Sequence, residues 1–134
     1  MNVSVEALDH INIITADLEG SARFYAELFG LESRDGPPPL THATARWMYD
    51  TGGRAVLHLN SLDCPRAYDR DLRPAPTGAL HHVALRCQGF TELRAKLTQR
   101  GLEHRVNEVP AINLMQIFVF DPNGVLLELN FFGG

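Results

Sequence analysis

The residues best suited to chemistry recur in register along the chain. Leu8-Asp9-His10-Ile11-Asn12-Ile13 returns as Leu80-His81-His82-Val83-Ala84-Leu85 at an offset of 72, so His10 and His82 hold equivalent places. Further on, Arg54-Ala55-Val56-Leu57-His58-Leu59-Asn60 aligns with Gly124-Val125-Leu126-Leu127-Glu128-Leu129-Asn130 at an offset of 70, which makes His58 and Glu128 equivalent. Leucines flank both of these residues, and an ionised carboxylate on such an apolar strand is costly unless it is paired or bound to a cation. A metal ion removes that cost. Three imidazoles and one carboxylate suit Fe(II), Ni(II), Co(II), Zn(II) or Mn(II) and not Ca(II), which prefers oxygen alone. His10, His58, His82 and Glu128 are therefore the candidate ligands of a divalent transition metal. If His58 stands back, the other three form a facial triad with open positions for a small oxygenated substrate. His81 faces away from His82 on the alternating pattern, and His42 and His104 lack a repeat partner. These three read as surface or structural histidines.

The elements that must position these residues follow the same repeat. After each opening apolar run comes a helical spacing of apolar residues, Leu18, Ala22, Tyr25 and Phe29 in the first half and Phe90, Leu93 and Leu97 in the second. Asp17 and Thr91 are the expected N-caps, and Gly30 and Gly101 the expected left-handed ends. Three strands follow each helix: about 31–35, 41–49 and 54–60, then about 103–108, 112–120 and 125–131. Each half thus reads βαβββ. The Asp121-Pro122-Asn123-Gly124 turn pairs Asp121 with Val125, which sets Phe118 opposite Glu128 and Gln116 opposite Asn130. If the first-half turn, Asp50-Thr51-Gly52-Gly53-Arg54, holds one extra residue, the same counting sets Trp47 opposite His58. Phe118, Trp47, Gln116, Asn60 and Asn130 are accordingly the expected substrate-pocket residues.

With 134 residues the chain reads as a single domain, 1–134, with module one at about 6–60, a Pro-rich linker at about 61–79 and module two at about 80–132. A βαβββ unit does not cover both faces of its own sheet, which predicts a homodimer. Hydrophobic residues at 45% and charged residues at 21% exclude low-complexity and disordered readings. A net charge of -4, with 11 arginines and one lysine spread along the chain, gives no support to nucleic-acid binding. Two cysteines without CxxC spacing, no signal-like N-terminus and no long apolar run predict a cytoplasmic protein that neither spans nor binds a membrane.

The chain resembles the vicinal oxygen chelate superfamily, which includes glyoxalase I, bleomycin- and fosfomycin-resistance proteins, methylmalonyl-CoA epimerase and extradiol dioxygenases. The likeness rests on Asp9-His10-Ile11, Asp17-Leu18, Ser21, Phe24-Tyr25, Leu28-Phe29-Gly30-Leu31, His82-Val83-Ala84-Leu85 and Asp121 to Leu129. It covers nearly the whole chain. The resemblance implies an α+β fold in which two βαβββ modules form a curved, mixed, eight-stranded sheet around a metal. It also implies that His10, His82 and Glu128 are ligands, with His58 in a variable fourth place. Glyoxalase I has glutamate in that place. Extradiol dioxygenases have a non-ligand, acid–base histidine in the equivalent region, but a tyrosine where this chain has Phe118 and an upstream histidine where it has Glu108-Val109-Pro110.

The leading expectation is a glyoxalase-like lyase or isomerase, with Glu128 or His58 as the catalytic proton-transfer group and the metal stabilising an enolate or enediolate. One alternative is Fe(II)-dependent ring cleavage of a catechol. Another is ligand sequestration without catalysis, as in bleomycin-resistance proteins. Glutathione is less favoured as part of the substrate, since no cluster of basic residues serves its carboxylates; Arg46, Arg54 and Arg86 are the available cations.

Overall fold

The computed structural model describes residues 3–65, 72 and 74–133. The chain divides into two compact units, Met1–Leu72 and Arg73–Gly134. In the first, β1 (Ile11–Thr15) leads to α1 (Leu18–Phe29), β2 (Glu32–Arg34), β3 (Ala45–Tyr49) and β4 (Ala55–Ser61). In the second, β5 (Val83–Arg86) leads to α2 (Phe90–Gln99), β6 (Arg105–Val109), a 3-10 turn (Pro110–Ile112), β7 (Leu114–Phe120) and β8 (Leu126–Phe132). The α+β class and the doubled βαβββ order are as expected. The eight strands hydrogen-bond as two four-stranded sheets, β1-β4-β3-β2 and β5-β8-β7-β6. In each sheet the first strand runs parallel to the last, and the other pairings are antiparallel.

One face of each sheet receives the helix of its own unit. Helix α1 buries Leu18, Ser21, Ala22, Tyr25 and Leu28, the stripe of a 3.6-residue period, against β3 and β4. Beneath it lie Leu57 and Leu59, fully covered on alternate positions of β4. Leu127 and Leu129 do the same on β8. Because strand residues alternate in facing, His58 and Glu128 project from the face opposite the helix.

Asp17 caps α1 by accepting from the Gly20 N–H at 2.9 Å, and Gly30 ends it at φ 74°. The second helix departs from expectation at its start. Its cap position is Gly89, which offers no side chain, and Thr91 lies inside the first turn. The earlier start lets Phe90 meet Phe131 edge-to-face, with centroids 5.5 Å apart. Gly101 follows the helix at φ 67°, and the bonds Leu102 N–H to Leu97 O (2.9 Å) and Gly101 N–H to Thr98 O (3.1 Å) form a Schellman closure.

Three strands begin two or more residues later than the pattern suggested, β3 at Ala45, β6 at Arg105 and β7 at Leu114. Residues 41–44 are a turn, because the Thr44 hydroxyl accepts from the Thr41 N–H (3.0 Å) and diverts the backbone from the ladder. Ile112 belongs to the 3-10 turn that Pro110 opens and Asn113 closes at φ 53°. Residues 66–71 and 73 of the expected linker lie outside the described residues, and its described part beyond Ser61 holds no helix or strand.

Both hairpins use the same turn. Asp121 accepts from the Asn123 and Val125 N–H groups at 2.8 Å, and Asp50 accepts from the Gly52 and Arg54 N–H groups at 2.9 Å. These backbone donors hold the Asp50 carboxyl below the ordinary carboxylate range. Asp121 N–H bonds Val125 O, and Asp50 N–H bonds Arg54 O, so the turns are of equal length. The extra residue expected in the first turn is instead Val56 in β4, skipped where the register shifts between Met48 and Tyr49. Such a bulge re-aims the strand beyond it, and Trp47 lies opposite His58 as the counting required.

Among the described residues, no helix is long and apolar enough to cross a membrane. Removing the α1 cap with Asp17→Ala should cost about 1 kcal/mol. Urea unfolding monitors this directly, and an unchanged midpoint would show that the cap contributes nothing.

Candidate functional site

In the first unit His10 stands immediately before β1, and its ring lies on that of His58 with centroids 3.7 Å apart and planes within 8°. Trp47 covers the opposite face of His58 at 3.9 Å and 10°. His58 is thus the middle layer of a three-ring stack. Burial is the main cause that pushes its imidazole down to about 4, and the positive field of His10 adds to it. Asp9 works in the opposite direction and accepts from His10 Nδ1 at 2.6 Å, which holds the Asp9 carboxyl below its ordinary range. With Nδ1–H donated to Asp9, the lone pair of His10 sits on Nε2, the tautomer a metal ligand needs.

The stack also bears on ligation. An ion bound by an imidazole lies near the plane of that ring. Two nearly parallel, stacked rings with centroids 3.7 Å apart share no such position. In this arrangement one of His10 and His58 can serve an ion, not both.

The wall opposite His58 is fixed by backbone packing that the sequence pattern did not reveal. Gly36 lies against the Trp47 indole, where a Cβ would stand 3.2 Å from Nε1 and 2.7 Å from Leu40 Cδ1. Asp9, Trp47, Arg54 and His58 border a cavity of about 580 Å³ with residues of the segment before β1. Asn60, expected in the pocket, is buried and donates to Asn12 Oδ1 at 2.6 Å.

In the second unit His82 precedes β5, and its Nε2 stands 3.4 Å from Glu128 Oε1. Hydrogen bonds run about 2.7–3.2 Å. Two donors each about 2.1 Å from one ion, at tetrahedral or octahedral angles, lie roughly 3.0–3.4 Å apart. The pair therefore has the spacing of neighbouring ligands. Glu128 Oε2 accepts from Asn130 Nδ2 at 2.9 Å, and Asn130 Oδ1 accepts from Gln116 Nε2 at 3.0 Å. Phe118 lies opposite Glu128 in the ladder, as the turn counting required.

His81 does more than the alternation suggested. Its Nδ1 lies 2.9 Å from His82 Nδ1. When the shared proton sits on His82, the His82 lone pair is on Nε2 and faces Glu128. By repeat position His81 takes the place of Asp9, a signal present in the sequence alignment itself. His42 pairs with Asp35 at 2.7 Å, and His104 Nδ1 meets Leu102 O at 2.8 Å, both outside these groups.

Among the described residues, no group of three or more His, Cys, Asp and Glu side chains is close enough to hold a metal ion. The four expected ligands occur as two pairs, His10 with His58 and His82 with Glu128. Of the two, the second has the chemistry and spacing to share an ion.

The family model described as "Glyoxalase/Bleomycin resistance protein/Dioxygenase superfamily" matches residues 7–129. No curated protein matches. Three solved structures share the fold at low identity. A glyoxalase/dioxygenase from Nostoc punctiforme is 17% identical at a TM-score of 0.68, covering 100% of this chain and 99% of that one. A lactoylglutathione lyase from Agrobacterium tumefaciens is 16% identical at 0.67, covering 96% and 95%. A genomically encoded fosfomycin resistance protein from Listeria monocytogenes is 17% identical at 0.65, covering 97% and 96%.

The ring stack yields a direct test. In metal-free protein the His58 ring protons should titrate near 4, and Trp47→Ala, which opens one face to water, should move the midpoint up toward 6.5. NMR of the imidazole protons reads both values, and a wild-type midpoint near 6.5 would show that the stack does not desolvate the ring.

Proposed function

Because the chain belongs to the Glyoxalase/Bleomycin resistance protein/Dioxygenase superfamily, we propose that it is a divalent-metal-dependent enzyme of the lyase or isomerase kind, acting on a small substrate with two neighbouring oxygens. The observation that carries this reading is the 3.4 Å spacing of His82 Nε2 and Glu128 Oε1, with the other carboxylate oxygen already bonded to Asn130. In this reading His82, Glu128 and His10 are the ligands of a transition metal, Fe, Ni, Co, Zn or Mn. When bound, such an ion supplies Lewis acidity toward vicinal oxygens and stabilises an enolate or enediolate.

The chain's own groups divide the remaining work. His10 presents Nε2 because Asp9 holds Nδ1. His58, kept neutral inside its stack, stands off the ion and serves as a proton acceptor near the substrate. Glu128 would exchange its place on the ion for base duty, Oε1 then taking or returning the proton on the substrate carbon. Phe118 and Trp47 supply flat apolar walls.

The lyase named among the similar structures belongs to the proposed reaction class. Its glutathione portion is not carried over, since the basic residues that would receive it are engaged within the chain. Arg46 donates to Glu19 Oε2 and His42 O, Arg54 pairs with Asp50, and Arg86 lies 4.4 Å over the Phe132 ring. The proposal includes a cytoplasmic homodimer, because one helix covers only one face of a four-stranded sheet.

Protein purified without chelator or affinity tag should contain near-stoichiometric transition metal, and His82→Ala should lose most of it. Glu128→Gln should abolish exchange of the carbon-bound hydrogens of hydroxyacetone and related α-hydroxycarbonyls with deuterated solvent. Activity in metal-free protein overturns the reading, and undiminished exchange excludes Glu128 as the base.

One observation favours a second reading, Fe(II)-dependent extradiol cleavage of a catechol. His58 stacks flat on His10 and so stands off any ion that His10 binds, as does the non-ligand histidine beside a two-histidine, one-carboxylate iron site. Oxygen uptake with catechols after anaerobic Fe(II) loading supports it, and no uptake across a catechol panel excludes it. Metal-free protein that binds a ligand without turnover leaves the sequestration reading.

A further inference from the structure

The bond from Asn130 to Glu128 is the last of a series. Asn107 Nδ2 donates to Gln116 Oε1 at 2.8 Å, Gln116 Nε2 to Asn130 Oδ1 at 3.0 Å, and Asn130 Nδ2 to Glu128 Oε2 at 2.9 Å. The first two links are directly opposed pairs in the ladder, Asn107 with Gln116 and Gln116 with Asn130, and the third steps two residues along β8. Three strands thus carry one line of amides from the exposed outer strand β6 to the carboxylate.

The carboxylate dictates the polarity of that line. An ionised carboxylate only accepts, so the Asn130 amide must turn its NH2 toward Glu128 and its oxygen back toward Gln116. Gln116 must then donate to Asn130 and accept from Asn107. Each amide is polarised in the same direction, which strengthens the bond at the carboxylate end. Among the described residues, the other half of the molecule has no such line. Asn60, the repeat equivalent of Asn130, lies opposite Ala45, which has no polar side chain, and its amide goes to Asn12. The series accompanies the carboxylate and is absent where the equivalent residue is His58, so the repeated fold by itself does not require it.

We propose that Asn107, Gln116 and Asn130 are positioning residues that anchor Glu128 through Oε2 and leave Oε1 as its one working oxygen. This rests on the reading of Glu128 as a metal ligand and deepens it. The Asn130 bond occupies one lone pair of Oε2 and fixes the turn of the carboxylate, so an ion would be met first by Oε1. Rotation of the carboxylate is restrained from a distance of three side chains.

Co2+ is a suitable probe, because its visible absorption reports coordination number and its affinity is measured by chelator competition. Gln116→Leu removes the middle link without touching Glu128 or any proposed ligand. It should weaken Co2+ binding about tenfold, the low end of what outer partners of metal ligands contribute, and alter the visible spectrum as both carboxylate oxygens become available. Asn107→Ala, at an exposed edge position where folding is not at stake, should give a smaller loss of about twofold in the same direction. Thermal melting checks that both variants fold. Wild-type protein that fails to bind Co2+ overturns both the proposed function and this inference. Wild-type protein that binds Co2+, with Gln116→Leu and Asn107→Ala unchanged in affinity and spectrum, overturns the inference alone.

Discussion

A negative charge on a strand packed with leucine is the constraint around which the second unit is arranged. Glu128 lies between Leu127 and Leu129, both almost wholly buried, and its own side chain is 16% exposed. A carboxylate so placed must be compensated on each oxygen. Asn130 donates to one, and the other faces His82 Nε2 across 3.4 Å, the place the proposed ion would fill. The ladder is what makes this possible. The register of β7 on β8 puts Gln116 level with Asn130, and the parallel pairing of β5 with β8 brings the strand that follows His82 beside Glu128. Slipping β8 by one residue against its neighbours would turn the carboxylate toward the helix.

The first unit meets a different demand with the same topology. An imidazole needs less compensation than a carboxylate because it is neutral when buried, and aromatic contact suffices. His58 accordingly sits between two flat rings and not in a network of amides. The buried charge in this unit is Arg46, on the helix side of the sheet, where Glu19 from α1 and the His42 carbonyl receive its guanidinium. That bridge ties α1 to β3, the strand that carries Trp47.

The repeat made much of this legible before any coordinates. An offset of 72 at the histidines and 70 at the last strands is enough to identify two βαβββ units, their helices and the equivalence of His58 with Glu128. Counting back from the Asp121 turn gave the pairs of Phe118 with Glu128 and Gln116 with Asn130. Extending the same count one strand further would have found Asn107, since β6 joins β7 in regular register. Other features follow from side-chain competition that a pattern of apolar residues does not encode. Thr44 captures its own turn, Phe90 extends α2 to reach Phe131, and Gly36 admits the Trp47 indole. The roles of Asp9 and His81 depend on which ring nitrogen each neighbouring histidine offers, a property of tautomers and not of residue type.

Val56 gives the first hairpin a degree of slack that the second lacks. Because the unpaired residue lies between the turn and His58, the pairing of Met48 with Leu57 and Trp47 with His58 does not depend on the residue count at the tip. Beyond the bulge the strand takes its alignment from β1, through Ile11 with Leu57 and Asn12 with His58. A one-residue insertion or loss there can be absorbed locally, whereas the regular ladder of β7 on β8 would transmit it to Glu128. Sequence drift at the two tips therefore carries unequal risk, and the half that holds the carboxylate is the one whose tip length is under constraint.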